Sequence, residues 1–227
     1  MNNYDEIIKL LEYKVPFAIA RFNDGEMGGI LQPGNWVAAR GDQPVNKELG
    51  QYLLDAFLHE QTNYWKGIPC SICFPQLRAG ADQILASQCD SHYPHLCTAT
   101  VLTNSNWKKA IKDIPKYLKG RTVYWIGGHD QKIDTLDFDI EQAFFFNNKD
   151  TWLDIKKIYP LWQLFQDDAV VMISLGPTAR VLTKQWYQLR PDLTIIDIGS
   201  NFDPFTRDVW HRCHKGTLPH CSECNLV

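Results

Sequence analysis

The chain has 227 residues, 44% of them hydrophobic and 22% charged, ordinary globular values that argue against disorder, a collagen repeat or a membrane span. Its 23 Lys and Arg against 26 Asp and Glu leave a formal net charge of −3, which speaks against a general basic field for gripping nucleic acid. The longest clean apolar run, Ala169 to Leu175, is far short of the roughly 20 residues that span a membrane.

In chain order, Tyr4, Ile7, Ile8 and Leu11 recur at helical spacing after a cap candidate at Asn2 or Asn3, predicting an amphipathic first helix that Pro16 ends. Asp5 and Glu6 stand where a secretory leader would carry basic residues, so a cytoplasmic chain is expected. Phe17 to Phe22 reads as a short buried strand and Asn23 to Gly29 as a polar, glycine-rich loop. Leu49, Tyr52, Leu53, Ala56 and Phe57 form a second helical stripe after Asn46, and a third helix is expected from Arg78 to Gln88. A β-rich stretch, His95 to Thr103, leads into a helix starting near Asn104 or Ser105. Arg121 to Ile126 is a strand running into Gly127-Gly128-His129-Asp130, Ala143 to Phe146 another strand, and Trp152 to Phe165 a helix. The last unit is the clearest: strand Ala169 to Leu175, turn Gly176-Pro177-Thr178, helix to about Leu189, then strand Leu193 to Ile198 ending at Gly199. Continuous apolar strands joined by helices predict an α/β fold, a mostly parallel sheet with helices on both faces. No linker or repeat divides the sequence, so a single domain over residues 1–227 is expected.

Arg21-Phe22-Asn23-Asp24-Gly25-Glu26 is the first candidate site. Two carboxylates two residues apart beside a glycine suit a hard divalent cation, Mn²⁺ or Mg²⁺, which also holds substrate phosphates. Gly25 would let the backbone approach a ligand closely. A solvated Asp-Gly turn is the competing reading. The second site is Ser174 to Arg180. Gly176 makes a tight turn, Pro177 suits a first helical position, and the helix amides near Thr178 suit a phosphate. Asp197 follows about 20 residues on, where a nucleotide-binding α/β unit places a ribose-binding carboxylate. An ordinary strand-helix-strand crossover is the alternative.

RFNDGE after a short apolar strand resembles the GT-D type glycosyltransferases, marked by an Arg-Phe-x-Asp-Gly-Glu signature. ISLGPTARVL followed by IIDIGS looks like that family's second block. The resemblance touches both ends of the chain, while residues from about 50 to 165 match only in architecture. It implies a Rossmann-like nucleotide-sugar transferase with Asp24 and Glu26 at the metal and Arg21 at a phosphate. Asn23 departs from the small residue often found before the Asp, and Ser200-Asn201 follow the second block.

Seven cysteines, an odd number, exclude a fully paired intrachain disulfide set. Cys221 and Cys224 have the spacing of half a structural zinc site, which Cys213, His214 or His220 could complete, with Cys70 and Cys73 a further half-site. Buried thiols packing as small hydrophobes are the alternative. Trp36, Trp65, Trp107 and Trp210 are candidate stacking platforms, and Trp125, Trp152, Trp162 and Trp186 are assigned to packing. His129, Asp130 and Asp203 are candidates for a catalytic base.

The expected function is a metal-dependent transfer of a sugar from a nucleoside diphosphate donor, UDP-linked, to a hydroxyl of a glycan or glycoprotein. A hydroxylated DNA base is a second acceptor class. A non-catalytic, zinc-stapled nucleotide-binding or interaction module competes with it, as does a hydrolase using the same acidic pair.

Overall fold

The computed structural model describes residues 3–34, 36–37, 44–88, 95–147 and 149–209. Helix α1 (Tyr4–Glu12) leads to β1 (Ala18–Arg21), α2 (Asp24–Leu31) and a two-strand ribbon, β2 (Trp36–Val37) and β3 (Pro44–Val45). Then come α3 (Lys47–Leu58), β4 (Tyr64–Ile68), α4 (Pro75–Gln88), β5 (Leu96–Thr98), α5 (Trp107–Leu118), β6 (Val123–Gly128) and β7 (Gln142–Phe146). The chain continues through the short α6 (Ile155–Ile158), β8 (Val170–Ile173), α7 (Thr178–Leu189), β9 (Thr194–Asp197) and the short α8 (Asp203–Thr206).

Seven strands form one sheet in the order β5-β4-β1-β9-β8-β6-β7, and every pairing in it is parallel. The alternation of side chains along a strand sends successive residues to opposite faces. Ala18, Ala20 and Phe22 accordingly join one core with Met27, Leu53, Phe57, Leu182 and Trp186. Phe17 and Ile19 join the other with Ile7, Leu11, Ile114 and Phe202. Helices α2, α3 and α7 thus cover one face and α1 and α5 the other, the α/β architecture expected from the sequence. Among the described residues no helix is long and apolar enough to cross a membrane.

Three elements differ from expectation. The segment read as a glycine-rich loop is helix α2, in which Met27 and Ile30 are buried. Its glycines serve packing: a Cβ at Gly29 would overlap the Val45 side chain, and Gly50 of α3 lies against the Gly29 carbonyl. The expected helix from Trp152 to Phe165 is instead a chain of short 3₁₀ and α turns, the last with Pro160 in its first turn, where the ring removes a backbone donor. Gly127 and Gly128, expected in a turn, complete β6. The Asn46 side chain does cap α3, accepting the Leu49 N–H at 2.8 Å, as its place before the apolar stripe predicts.

Candidate functional site

The segments after neighbouring strands turn to opposite faces at the carboxyl end of β9. Helices α2 and α7, which follow β1 and β8, pack on one face, whereas Phe202, which follows β9, packs on the other. Such a divergence opens a crevice at the carboxyl end of a parallel sheet, the usual position of a ligand in this architecture. Arg21, Asp24, Glu26, Gly176, Asp197 and Gly199 are the residues that the strand ends and helix starts bring to it.

Three of these side chains, Arg21, Glu26 and Asp197, form a closed, buried charge network with Arg180 of α7. Asp197, fully buried, accepts the Arg21 backbone N–H at 3.0 Å and the Gly199 N–H at 3.2 Å. Its Oδ2 lies 3.0 Å from Arg180 Nε, and its Oδ1 lies 3.8 Å from Arg21 Nη2. Arg21 Nε donates to the Asp197 carbonyl at 2.8 Å, and Nη1 donates to the Ala99 carbonyl at 3.4 Å. Arg180 pairs with Glu26, Nη2 to Oε1 at 3.2 Å, and donates to the carbonyls of Arg21 at 2.7 Å and of Gly176. Two guanidiniums and two carboxylates therefore balance, which is what makes a buried set of charges tolerable. Gly199 has φ +48°, and a Cβ there would overlap the Arg21 guanidinium. Only glycine accepts both that backbone and that neighbour.

Arg21 and Asp197, expected at a phosphate and at a nucleoside, are both enclosed by this arrangement. Both are nearly or wholly buried, and their polar atoms meet partners in the protein.

Asp24 and Glu26, expected to share a cation, are the first and third residues of α2. Positions two apart on a helix point in opposed directions, about 200° around the axis at 3.6 residues per turn. Glu26 is buried. One of its oxygens faces Arg180, and the other accepts the Asn23 N–H at 3.0 Å, holding the helix start. Burial pushes its carboxyl above the usual range, against the pull of the Arg180 guanidinium. Asp24 is half-buried, and among the described residues its carboxylate has no hydrogen bond or ion pair. The described residues contain no group of three or more acidic, His or Cys side chains placed to hold a metal. Of the two carboxylates, that of Asp24 is the one without a protein partner among the described residues.

At the second turn, Gly176 (φ +54°) and Pro177 lead into α7, with Pro177 at its N-cap and not at the first helical position that the sequence suggests. The Thr178 hydroxyl is engaged at 2.7 Å by that of Thr151, and both residues are buried. The Ala179 and Arg180 amides close the turn onto the Gly176 and Pro177 carbonyls. A cradle of many free amides is absent from this turn, and the positive end of the α7 dipole is what it offers an anion.

Neither acidic base candidate stands free. Asp203 is buried and pairs with Arg207 Nη1 at 2.9 Å, while exposed Asp130 approaches Arg207 Nε at 2.9 Å. The two carboxylates therefore bracket one arginine that ties α8 to the β6 turn. His129 is exposed at that turn. Beside it, buried Gln131 accepts the Trp125 indole N–H at 3.2 Å and the Gly128 N–H at 3.1 Å. It donates to Ser174 Oγ at 3.1 Å, whose hydroxyl donates to the Gly199 carbonyl at 2.9 Å. This relay fixes the ends of β6, β8 and β9 relative to one another. Sequence reasoning passed over Gln131 and gave Arg180 no role. The only signal for Arg180 was its place beside the Gly-Pro-Thr turn.

Two of the expected stacking platforms are core residues. Trp65 and Trp107 are buried, and the Trp107 indole donates to the Asn201 carbonyl at 2.8 Å. That contact places Asn201 under the α5 start. The Trp36 side chain, Trp210, and the zinc candidates Cys213, His214, His220, Cys221 and Cys224 lie outside the described residues. Of the other half-site, Cys70 is buried and Cys73 exposed.

No family model and no curated protein matches the chain. Its backbone is similar to a solved structure of the domain of unknown function 1792, described as having a distinct glycosyltransferase fold. The TM-score is 0.68 at 14% identity, over 89% of this chain and 79% of that one. It is similar also to a structure described as a new glycosyltransferase of that domain type from Streptococcus sanguinis. There the TM-score is 0.68 at 15% identity, over 89% of this chain and 82% of that one. The likeness is one of architecture: the chain has a glycosyltransferase-like α/β fold.

Proposed function

We propose that the protein is a glycosyltransferase that takes its sugar from a nucleoside diphosphate donor, UDP-linked, and delivers it to a hydroxyl of a glycan or glycoprotein. The observation that carries the reading is Asp24, a carboxylate without a partner at the mouth of the β1–β9 crevice, in a fold similar to that of known glycosyltransferases. One carboxylate together with diphosphate oxygens is enough to hold Mg²⁺ or Mn²⁺, which usually keep several waters. When bound, that cation would offset the negative charge that builds on the departing nucleoside diphosphate.

The chain's own contribution is placement and potential. Helices α2 and α7 both begin at the crevice, and their positive ends favour an anion there. The buried network of Arg21, Arg180, Glu26 and Asp197 keeps those two starts in fixed relation, so the field is organised before the donor arrives. The network is neutral in sum and leaves the charge of Asp24 to face the ligand.

The test is donor turnover with UDP-sugars, with and without Mn²⁺, on the wild type and on Asp24→Asn. Loss of about two orders of magnitude in the variant, the range of a removed transition-state electrostatic contact, supports the reading. Equal rates in the two proteins overturn the role of Asp24. Absence of donor turnover by the wild type under any metal overturns the enzyme and favours a non-catalytic binding module.

A further inference from the structure

The two acids of the Asp-x-Glu pair sit in different surroundings. Asp24 has no partner among the described residues and is half-buried at the crevice. Glu26 is only 6% exposed, and both its oxygens are spent, one on Arg180 at 3.2 Å and one on the Asn23 amide at 3.0 Å. Turning Glu26 toward a cation beside Asp24 would give up both contacts. It would leave Arg180, itself buried, with Asp197 as its one remaining carboxylate. It would also require an unfavourable path across the α2 helix, because the two side chains leave it in opposed directions.

We infer that the pair is divided in function: Asp24 alone is offered to a cation and diphosphate, and Glu26 is a positioning residue that locks Arg180 between the starts of α2 and α7. The inference rests on the crevice being the donor site as far as Asp24 is concerned. The part about Glu26 stands on the network alone. Arg180 also holds the Arg21 carbonyl at 2.7 Å and the Gly176 carbonyl, so Glu26 acts through it on the ends of β1 and β8 together. Releasing Glu26 would loosen the relative position of both helix starts without removing a ligand from the cation.

Two measurements on the full chain separate the roles. The first is the affinity for Mn²⁺ in the presence of UDP, read from the electron paramagnetic resonance signal of free Mn²⁺. Asp24→Asn is expected to weaken it at least tenfold, and Glu26→Gln to change it by less than about threefold, the two readouts of a ligand and of a non-ligand. The second is thermal melting of the metal-free protein. Glu26→Gln, which takes from a buried guanidinium one of its two carboxylate partners, is expected to lower Tm by about 6 °C or more, and Asp24→Asn to leave it in place. Adding Glu26→Gln to Arg180→Met is expected to have little further effect, because residues that act as a pair are not additive.

Loss of Mn²⁺ affinity in Glu26→Gln equal to that in Asp24→Asn, at an unchanged Tm, overturns the division. So do additive losses of Tm for Glu26→Gln and Arg180→Met. If Glu26→Gln alone does not fold, the Glu26→Gln/Arg180→Met double variant removes both charges together. Mn²⁺ affinity lost from a folded double variant overturns the inference, and affinity retained supports it. A wild type that binds no Mn²⁺ with UDP overturns the donor-site reading and the role of Asp24. The metal-free melts then decide the role of Glu26 independently.

Discussion

Replacing Asp197 by Asn changes one oxygen into an NH₂ group at the most heavily used carboxylate among the described residues. Asp197 accepts the Arg21 and Gly199 amides at 3.0 and 3.2 Å and faces both guanidiniums, Arg180 at 3.0 Å and Arg21 at 3.8 Å. An asparagine keeps one acceptor oxygen and turns its NH₂ toward donors. Of the two carboxylates in the network, only that of Glu26, beside Arg180, would then remain. Loss of a neutral hydrogen bond alone would cost about 1 kcal/mol, whereas removing one partner of a buried ion pair costs about 3–5 kcal/mol. The second figure applies, because Asp197 is fully buried. For a chain of this size it corresponds to a fall of about 6–20 °C in Tm. The assay is thermal melting by circular dichroism at neutral pH, with UDP affinity measured on the same samples. An unchanged Tm with a weakened UDP affinity would refute the argument and return Asp197 to a ribose contact.

Three further expectations follow from burial. Cys97 is buried and its thiol is pushed up to about 12 by burial, while Cys73 is exposed. An alkylating reagent should therefore label Cys73 quickly and Cys97 only as the protein opens. Peptide mapping that finds both at one rate would contradict the fold around β5. Ala at Gly29 overlaps Val45 and should cost about 1–3 kcal/mol by overpacking, read as a lower urea midpoint. A neutral result would mean that α2 and β3 are not in contact. Burial holds the imidazoles of His59 and His95 below their ordinary value. The unfolded chain therefore takes up these protons first as pH falls. Their contribution is complete above the unfolded value of about 6.5 and is lost as pH drops through the lower folded values. Urea midpoints should fall across that window, and a double His59→Gln/His95→Gln variant should flatten the fall.

How far the sequence reveals the molecule depends on the distance over which each choice is made. Helix α7 is legible from its ends, because Gly176-Pro177 fixes the start locally and the apolar periodicity fixes the rest. Helix α2 is not: Gly25, Gly28 and Gly29 each cost about 1 kcal/mol of helix propensity. What recovers that cost is burial of Met27 and Ile30 and the close approach of α3 and β3, none of it local. The site shows the same division. The motif residues do reach one crevice, since strand ends and helix starts are visible in the chain. Their partners are not visible, because Arg21 meets Asp197 across 176 positions and Arg180 meets the Arg21 carbonyl across 159. Asp24 and Glu26 look equivalent as spacing and become different only once a helix turns one outward and one inward.

The position of β9 governs how the molecule can be assembled. Among the described residues it is the last strand of the sheet in chain order, yet it lies between β1, the first, and β8. Without these four residues the sheet falls into two three-stranded pieces, β5-β4-β1 and β8-β6-β7, each with a bare parallel edge. Entry of β9 closes both edges at once and in the same step brings Asp197 to Arg21 and Arg180. Assembly of the crevice thus waits for β9 and is not an early local event. A chain stopped short of Thr194 would carry most of the secondary structure, Asp24 and the starts of α2 and α7 included, but not the Asp197 that ties Arg21 to Arg180.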